Sequence, residues 1–162
     1  MTTSINITHQ DLYKDVRAYL LSLFQCEVVQ GWSNNVSMPN PPFITMRIVG
    51  ERPLATNESA YYIDLSQAEK SQSVDVSMQL DFYDCPECAR TFGHLWKDMH
   101  AADFLTKCQP LYSDDPKHMP ITNSETQYES RWVVTASLQY NPVVTHAQAF
   151  IDEMPIQFNQ GD

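Results

Sequence analysis

The residues with the sharpest chemical potential are Cys85-Pro86-Glu87-Cys88, a C-x-x-C set between an alternating strand pattern and a helical one. At a helix N-terminus such a pair can exchange thiol and disulfide, because the helix end stabilises a thiolate. Two features count against that chemistry. The strand before a thioredoxin-type motif is covered on both faces and reads as continuously apolar, whereas residues 74–83 are interrupted by Asp75, Gln79 and Asp81. Cys88 also precedes Phe92 by one helical turn, on the stripe that faces a sheet, where a thiol packs as a small apolar group. The N-terminus lacks the charged start and apolar stretch of a signal peptide. Cys26, Cys85, Cys88 and Cys108 are therefore expected to stay reduced.

Metal and hydrolytic chemistry find less support. A structural zinc site wants four ligands, and at about 100° per residue His94 and His100 both point away from Cys88. Asp114-Asp115-Pro116 with His118 resembles a hard-cation site, but Asp before Pro is ordinary turn chemistry. No G-x-S-x-G, phosphate loop or His-Glu-x-x-His pattern occurs. His9 and His146 are expected at the surface. No catalytic residue, cofactor or metal site is expected.

Any functional residue must be positioned by a chain of 162 residues with a net charge of −10. That length suits one domain, and residues 1–162 are read as one domain ending in an extended arm over 142–162. Its acidity opposes nucleic-acid binding, which draws affinity from Lys and Arg on phosphates, and opposes anionic membrane surfaces. No apolar run reaches the length of a membrane span.

Periodicity gives the elements. Thr8 and Asp11 form a capping box at the start of a helix to Phe24, with Leu12, Val16, Tyr19, Leu20 and Leu23 on one face. The proline-rich residues 31–42 form a loop. Strands are predicted over 43–49 and 61–65, with a turn at 50–60 and a polar loop at 66–73. Residues 74–83 alternate apolar and polar with period two. A second helix is predicted from Cys85 to Ala102 with Asp84 as its N-cap. A long polar loop then leads to a strand over 131–140, and one helical turn is expected near residues 147–153. The class is α+β: a mixed, mainly antiparallel sheet with two helices packed on one face, its other face open to water or a partner.

The loop and strand sequences carry a resemblance. Gln30-Gly31 followed by Asn35, Pro39 and Pro42-Phe43-Ile44 resembles the neck and tail terminator proteins of tailed bacteriophages. So do Gln79-Leu80-Asp81-Phe82-Tyr83 running into a helix, Gln127-Tyr128-Glu129-Ser130-Arg131-Trp132, and Gln139-Tyr140-Asn141. Relatives often carry a glycine in the turn after Tyr83, where this chain has Asp84 and the C-x-x-C.

The resemblance implies a structural virion protein without catalysis: a ring, commonly a hexamer, that caps the tail tube and joins it to the head connector. It implies synthesis in the host cytoplasm; the acidity of the subunit adds the expectation of a lumen that repels DNA phosphates, so that the genome passes without specific binding. Trp32, Asn35, Pro42 and Arg131 are the residues singled out for assembly or scaffold roles. Two other classes stay open: a thioredoxin-like oxidoreductase using Cys85 and Cys88, and a monomeric acidic adaptor for a basic partner.

Overall fold

The computed structural model describes residues 3–31, 37–122 and 125–151. The chain opens with β1 (Ser4–Ile5) and the helix α1 (His9–Leu23). The expected capping box forms: the Thr8 backbone N–H donates to Asp11 Oδ2 at 2.8 Å, and the Asp11 N–H donates to the Thr8 hydroxyl at 3.3 Å. Donors orphaned at the helix start are thereby satisfied, and the Thr8 backbone N–H and then the Thr8 hydroxyl, each donating to Oδ2 at 2.8 Å, hold the Asp11 carboxyl below its ordinary pKa. Leu12, Val16, Tyr19 and Leu20 are buried along one face, as the periodicity predicts.

β2 (Glu27–Gln30) runs parallel to β3 (Phe43–Pro53). β3 outlasts the predicted 43–49 strand because its register against its neighbour shifts between Ile48 and Gly50, an irregularity of the bulge type that lets a strand bend and continue. β4 (Glu58–Tyr62), a 3-10 turn (Ile63–Leu65) and β5 (Gln67–Ser71) follow. The predicted strand at 61–65 is thus shifted earlier, and the predicted loop at 66–73 contains a strand. β5 has no apolar alternation because it belongs to a small sheet in which Ala68 alone among its residues is fully buried.

β6 (Val74–Tyr83) matches its prediction, and the helix after it is divided into α2 (Pro86–Trp96) and α3 (Met99–Phe104). Asp98 is extended at φ −105 and ψ 165. The break re-aims α3, so that Phe104 meets Tyr19 at 5.4 Å between ring centres. Asp84 has φ 54 and lies outside the helix; Cys85 is the N-cap, with Pro86 in the first turn. The predicted polar loop holds β7 (Gln109–Ser113), β8 (Lys117–His118), β9 (Ile121–Thr122) and β10 (Tyr128–Glu129). β11 (Arg131–Tyr140) and β12 (Val143–Ala147) complete the described chain. Residues 148–151 are not helical, and the rest of the turn predicted at 147–153 lies outside the described residues.

A large sheet has the order β2-β3-β6-β11-β7, with β8 also paired to β11, and a small sheet has the order β1-β12-β5-β4. Apart from β2 with β3, the pairings are antiparallel. The helices cover one face of the large sheet. Val16 and Leu20 of α1, Phe92 and Trp96 of α2, Met78, Leu80 and Phe82 of β6, and Val134 and Leu138 of β11 share one core. The α+β class with helices on one face of a mainly antiparallel sheet is the observed one. The opposite face differs from expectation, because Asp75 and Asp81 on it are buried at 7% and 2% exposure.

Candidate functional site

Trp32 and Asn35 lie outside the described residues. Pro42 is exposed immediately before β3, and Arg131 is the first residue of β11. Register brings them to one end of the large sheet, since Phe43, Tyr83 and Arg131 sit side by side in β3, β6 and β11. Phe43 stacks on Tyr83 with ring centres 4.3 Å apart. Burial, then the nearby Asp81 charge, push the Tyr83 hydroxyl pKa up. Pro41, Tyr83, Asp84, Tyr128 and Ser130 line a 200 Å³ cavity beside this row, and Tyr128 projects into solvent at 83% exposure.

Arg131 has a structural task within the same row. Its Nη1 lies 3.8 Å from Asp81 Oδ2, and its Nε donates to the Met119 carbonyl at 3.0 Å. Arg47 Nη2 approaches Asp81 from β3 at 3.7 Å, and Gln79 Nε2 donates to Asp81 Oδ1 at 2.7 Å. A second buried carboxylate, Asp75, accepts from Arg52 Nε at 3.1 Å and from the Ser137 hydroxyl. The sequence reading missed both centres. Their signal was an acidic residue at each end of an otherwise sound strand, in a chain with few arginines to answer them.

The cysteine motif is not in the expected state: Cys85 and Cys88 form a disulfide, with their Cα atoms 5.3 Å apart. The turn set by Asp84 and the first turn of α2 place the two residues within disulfide reach. Cys88 still packs against the core as its stripe position predicts. A 510 Å³ cleft runs beside α2, where Arg90, His94 and Lys97 face Asp114, Asp115 and Trp132, but neither sulfur lines it. Asp114 is committed to structure. It accepts the Thr135 backbone N–H at 2.6 Å and the Lys117 ammonium at 3.0 Å. His118 stacks on Trp132 at 4.9 Å. Among the described residues, no group of three or more His, Cys, Asp or Glu side chains is arranged to hold a metal. Among the described residues, no helix is long and apolar enough to cross a membrane.

Asp15 clamps α1 to the chain between α3 and β7. Its carboxylate accepts the backbone N–H groups of Thr106 at 2.9 Å and Lys107 at 2.7 Å. Cys108 lies beneath it, and burial, reinforced by Asp15, pushes this thiol from 9.0 up to about 12. Burial, with Asp98, likewise pushes the Tyr19 hydroxyl from 10.0 up to about 12. Above these ordinary values the unfolded chain releases protons that the native state retains. Stability is therefore expected to fall as pH rises from 9 through 12. Urea unfolding at pH 8, 10 and 11 checks this, and a flat profile would refute it.

A family model described as phage neck terminator protein matches residues 10–162. No curated protein is similar enough to the chain to count as a match.

Proposed function

Since the chain belongs to the phage neck terminator family, a family of structural phage proteins found in the virion neck, we propose that it assembles as a ring of six. The ring caps the tail tube, joins it to the head connector, and performs no catalysis of its own. It is made in the host cytoplasm, and the genome passes through its lumen without specific binding. The observation that carries this reading is the family match across residues 10–162. The fold suits the role, because a ring subunit must meet its neighbours through two different patches, head to tail. At that end of the large sheet the exposed Pro42 and Tyr128, backed by the buried rings of Phe43 and Tyr83, offer one such patch. Trp32, Asn35 and Pro42 belong to the same proposal as assembly residues, Arg131 as a residue that supports the patch.

Light scattering after size exclusion, over a range of protein concentrations and with purified tail tube present or absent, tests the proposal. The expected result is a particle near six times the chain mass of 18.6 kDa. A monomer that neither self-associates nor binds the tube would overturn it. Cys85→Ser is expected to leave the particle mass unchanged, since the disulfide belongs to the turn before α2 and not to a redox centre. Loss of a disulfide-reducing activity in that variant would instead establish the oxidoreductase reading.

A further inference from the structure

The small sheet ends in an apolar surface that nothing described covers. Tyr61, Ile63 and Leu65 are exposed at 60%, 64% and 66%, and Ile151 at 80%. They are gathered by the 3-10 turn and the chain beyond β12. The Gln148 N–H donates to the Ser66 carbonyl at 2.9 Å, and Tyr61 meets Phe150 edge to face at 6.3 Å. β4 is the outermost strand of this sheet, and among the described residues no strand pairs with its outer edge. An edge of this kind, with apolar side chains beside it, is a template for another strand.

The chain supplies a matching segment. After Ile151 it continues Asp152-Glu153-Met154-Pro155-Ile156-Gln157-Phe158-Asn159. Met154, Ile156 and Phe158 alternate with Pro155, Gln157 and Asn159, so in an extended conformation the three apolar side chains fall on one face. The backbone groups of alternate residues also point to alternate edges. If Met154, Ile156 and Phe158 face β4 with their N–H groups, Pro155 lies on the outer edge, the position a strand tolerates for a residue without a donor. A proline there stops further strand addition.

We propose that residues 153–159 of one copy add as a strand to the free edge of β4 in the next copy, covering Tyr61, Ile63 and Leu65. The occupant is a neighbour's segment because of direction. β12 and β4 are each antiparallel to β5, so the chain leaving β12 runs parallel to β4 and past its C-terminal end. Returning to its own β4 would require a two-residue reversal at Asp152-Glu153, a pair without the glycine or asparagine that such tight reversals favour. A neighbour's segment needs none, and one donated strand with one accepting edge per copy is the heterologous contact a ring requires. The inference rests on the ring reading above and names the contact that closes it.

Two variants test it: the chain lacking residues 152–162, and the full chain carrying Ile63→Asp with Leu65→Asp. Each alone is expected to stay folded by circular dichroism and to lose the ring. Mixed in equal amounts they should form a two-chain complex, because the second donates the segment that the first accepts. A truncated chain that still forms the ring would overturn the proposal, and so would a mixture that yields no complex. A fluorescent peptide of residues 150–162 provides a readout independent of the ring. It should bind the truncated chain saturably, and at least tenfold more weakly once Ile63→Asp and Leu65→Asp are added. Failure of that binding refutes the strand addition. Peptide binding in a full chain that never assembles refutes the ring and leaves the strand addition standing.

Discussion

Trp96→Ala is expected to destabilise the protein by about 4 kcal/mol, since truncating a buried Phe or Trp costs roughly 3–5 kcal/mol through lost burial and the cavity left behind. Trp96 is 1% exposed and sits at the last turn of α2. It stacks on Phe92 at 5.1 Å and meets Tyr19 of α1 at 6.0 Å between ring centres, so a single side chain joins both helices. Its indole N–H donates to the Ser137 carbonyl at 3.1 Å. The register of β11 against β7 shifts between Ser137 and Leu138, and the indole supplies a donor where that ladder is irregular. Trp96→Phe keeps most of the apolar contact and removes the donor. It should cost about 1–3 kcal/mol, the penalty for a buried polar group left unpaired. Urea unfolding followed by far-ultraviolet circular dichroism measures both variants. An alanine variant within about 2 kcal/mol of the parent would mean that the helices are held to the sheet by other contacts.

The elements legible in the sequence are those whose burial matches their period. α1 and β6 each present one apolar face to the core, so spacing in the sequence reports contact in the fold. β11 is legible for the same reason, through Val134, Ala136 and Leu138. β5 is not, because Gln67, Glu69 and Lys70 are held by pairing with β4 and β12 on either side, and pairing leaves no mark on composition. β7 and β8, at the margin of the large sheet, and β9 and β10, paired with each other in a two-stranded ribbon, are hidden similarly, because such short strands need few apolar residues. The break between α2 and α3 escapes because Trp96, Met99 and Ala102 keep a helical spacing across it. The stripe continues in sequence, yet Met99 is 67% exposed.

The candidate site divides along the same line. A family resemblance reaches the phage neck terminators from local segments, since those segments keep their residue types wherever the sheet places them. The disulfide was not legible, because compartment arguments address cysteines in general, whereas the turn after Tyr83 brings these two within reach of each other. The strand predicted over 61–65 overruns β4 because Ile63 and Leu65 carry strand-forming side chains into the 3-10 turn, where they lie exposed. Asp75 and Asp81 were read as a wet face for the complementary reason. An acidic residue in an alternating strand is usually solvated, and only the positions of Arg52, Arg47 and Arg131 across the sheet reveal that these two are answered.

Asp81→Ala is expected to cost about 3 kcal/mol. Breaking a buried ion pair by removing one partner costs roughly 3–5 kcal/mol, because the remaining charge loses its compensation. The lower end applies here, since the side chains of Arg47 and Arg131 are 20% and 19% exposed and can recover some hydration. Asp81→Asn retains an acceptor for Gln79 and removes the charge, so it should fall between the parent and the alanine variant. The same centre decides what Arg131 does. Its Nε bond to the Met119 carbonyl and its contact with Asp81 tie β11, β6 and the β8–β9 segment together, which is a scaffold task. Arg131→Ala should therefore lower stability by about 1–3 kcal/mol, the worth of hydrogen bonds from a charged donor. It should leave the particle mass unchanged wherever the chain remains folded. If stability is preserved and the particle falls to single chains, Arg131 is a contact residue of the ring and the network around Asp81 merely holds it in place. The two outcomes differ in both readouts, so unfolding and light scattering on one variant separate support of the fold from contact with a neighbour.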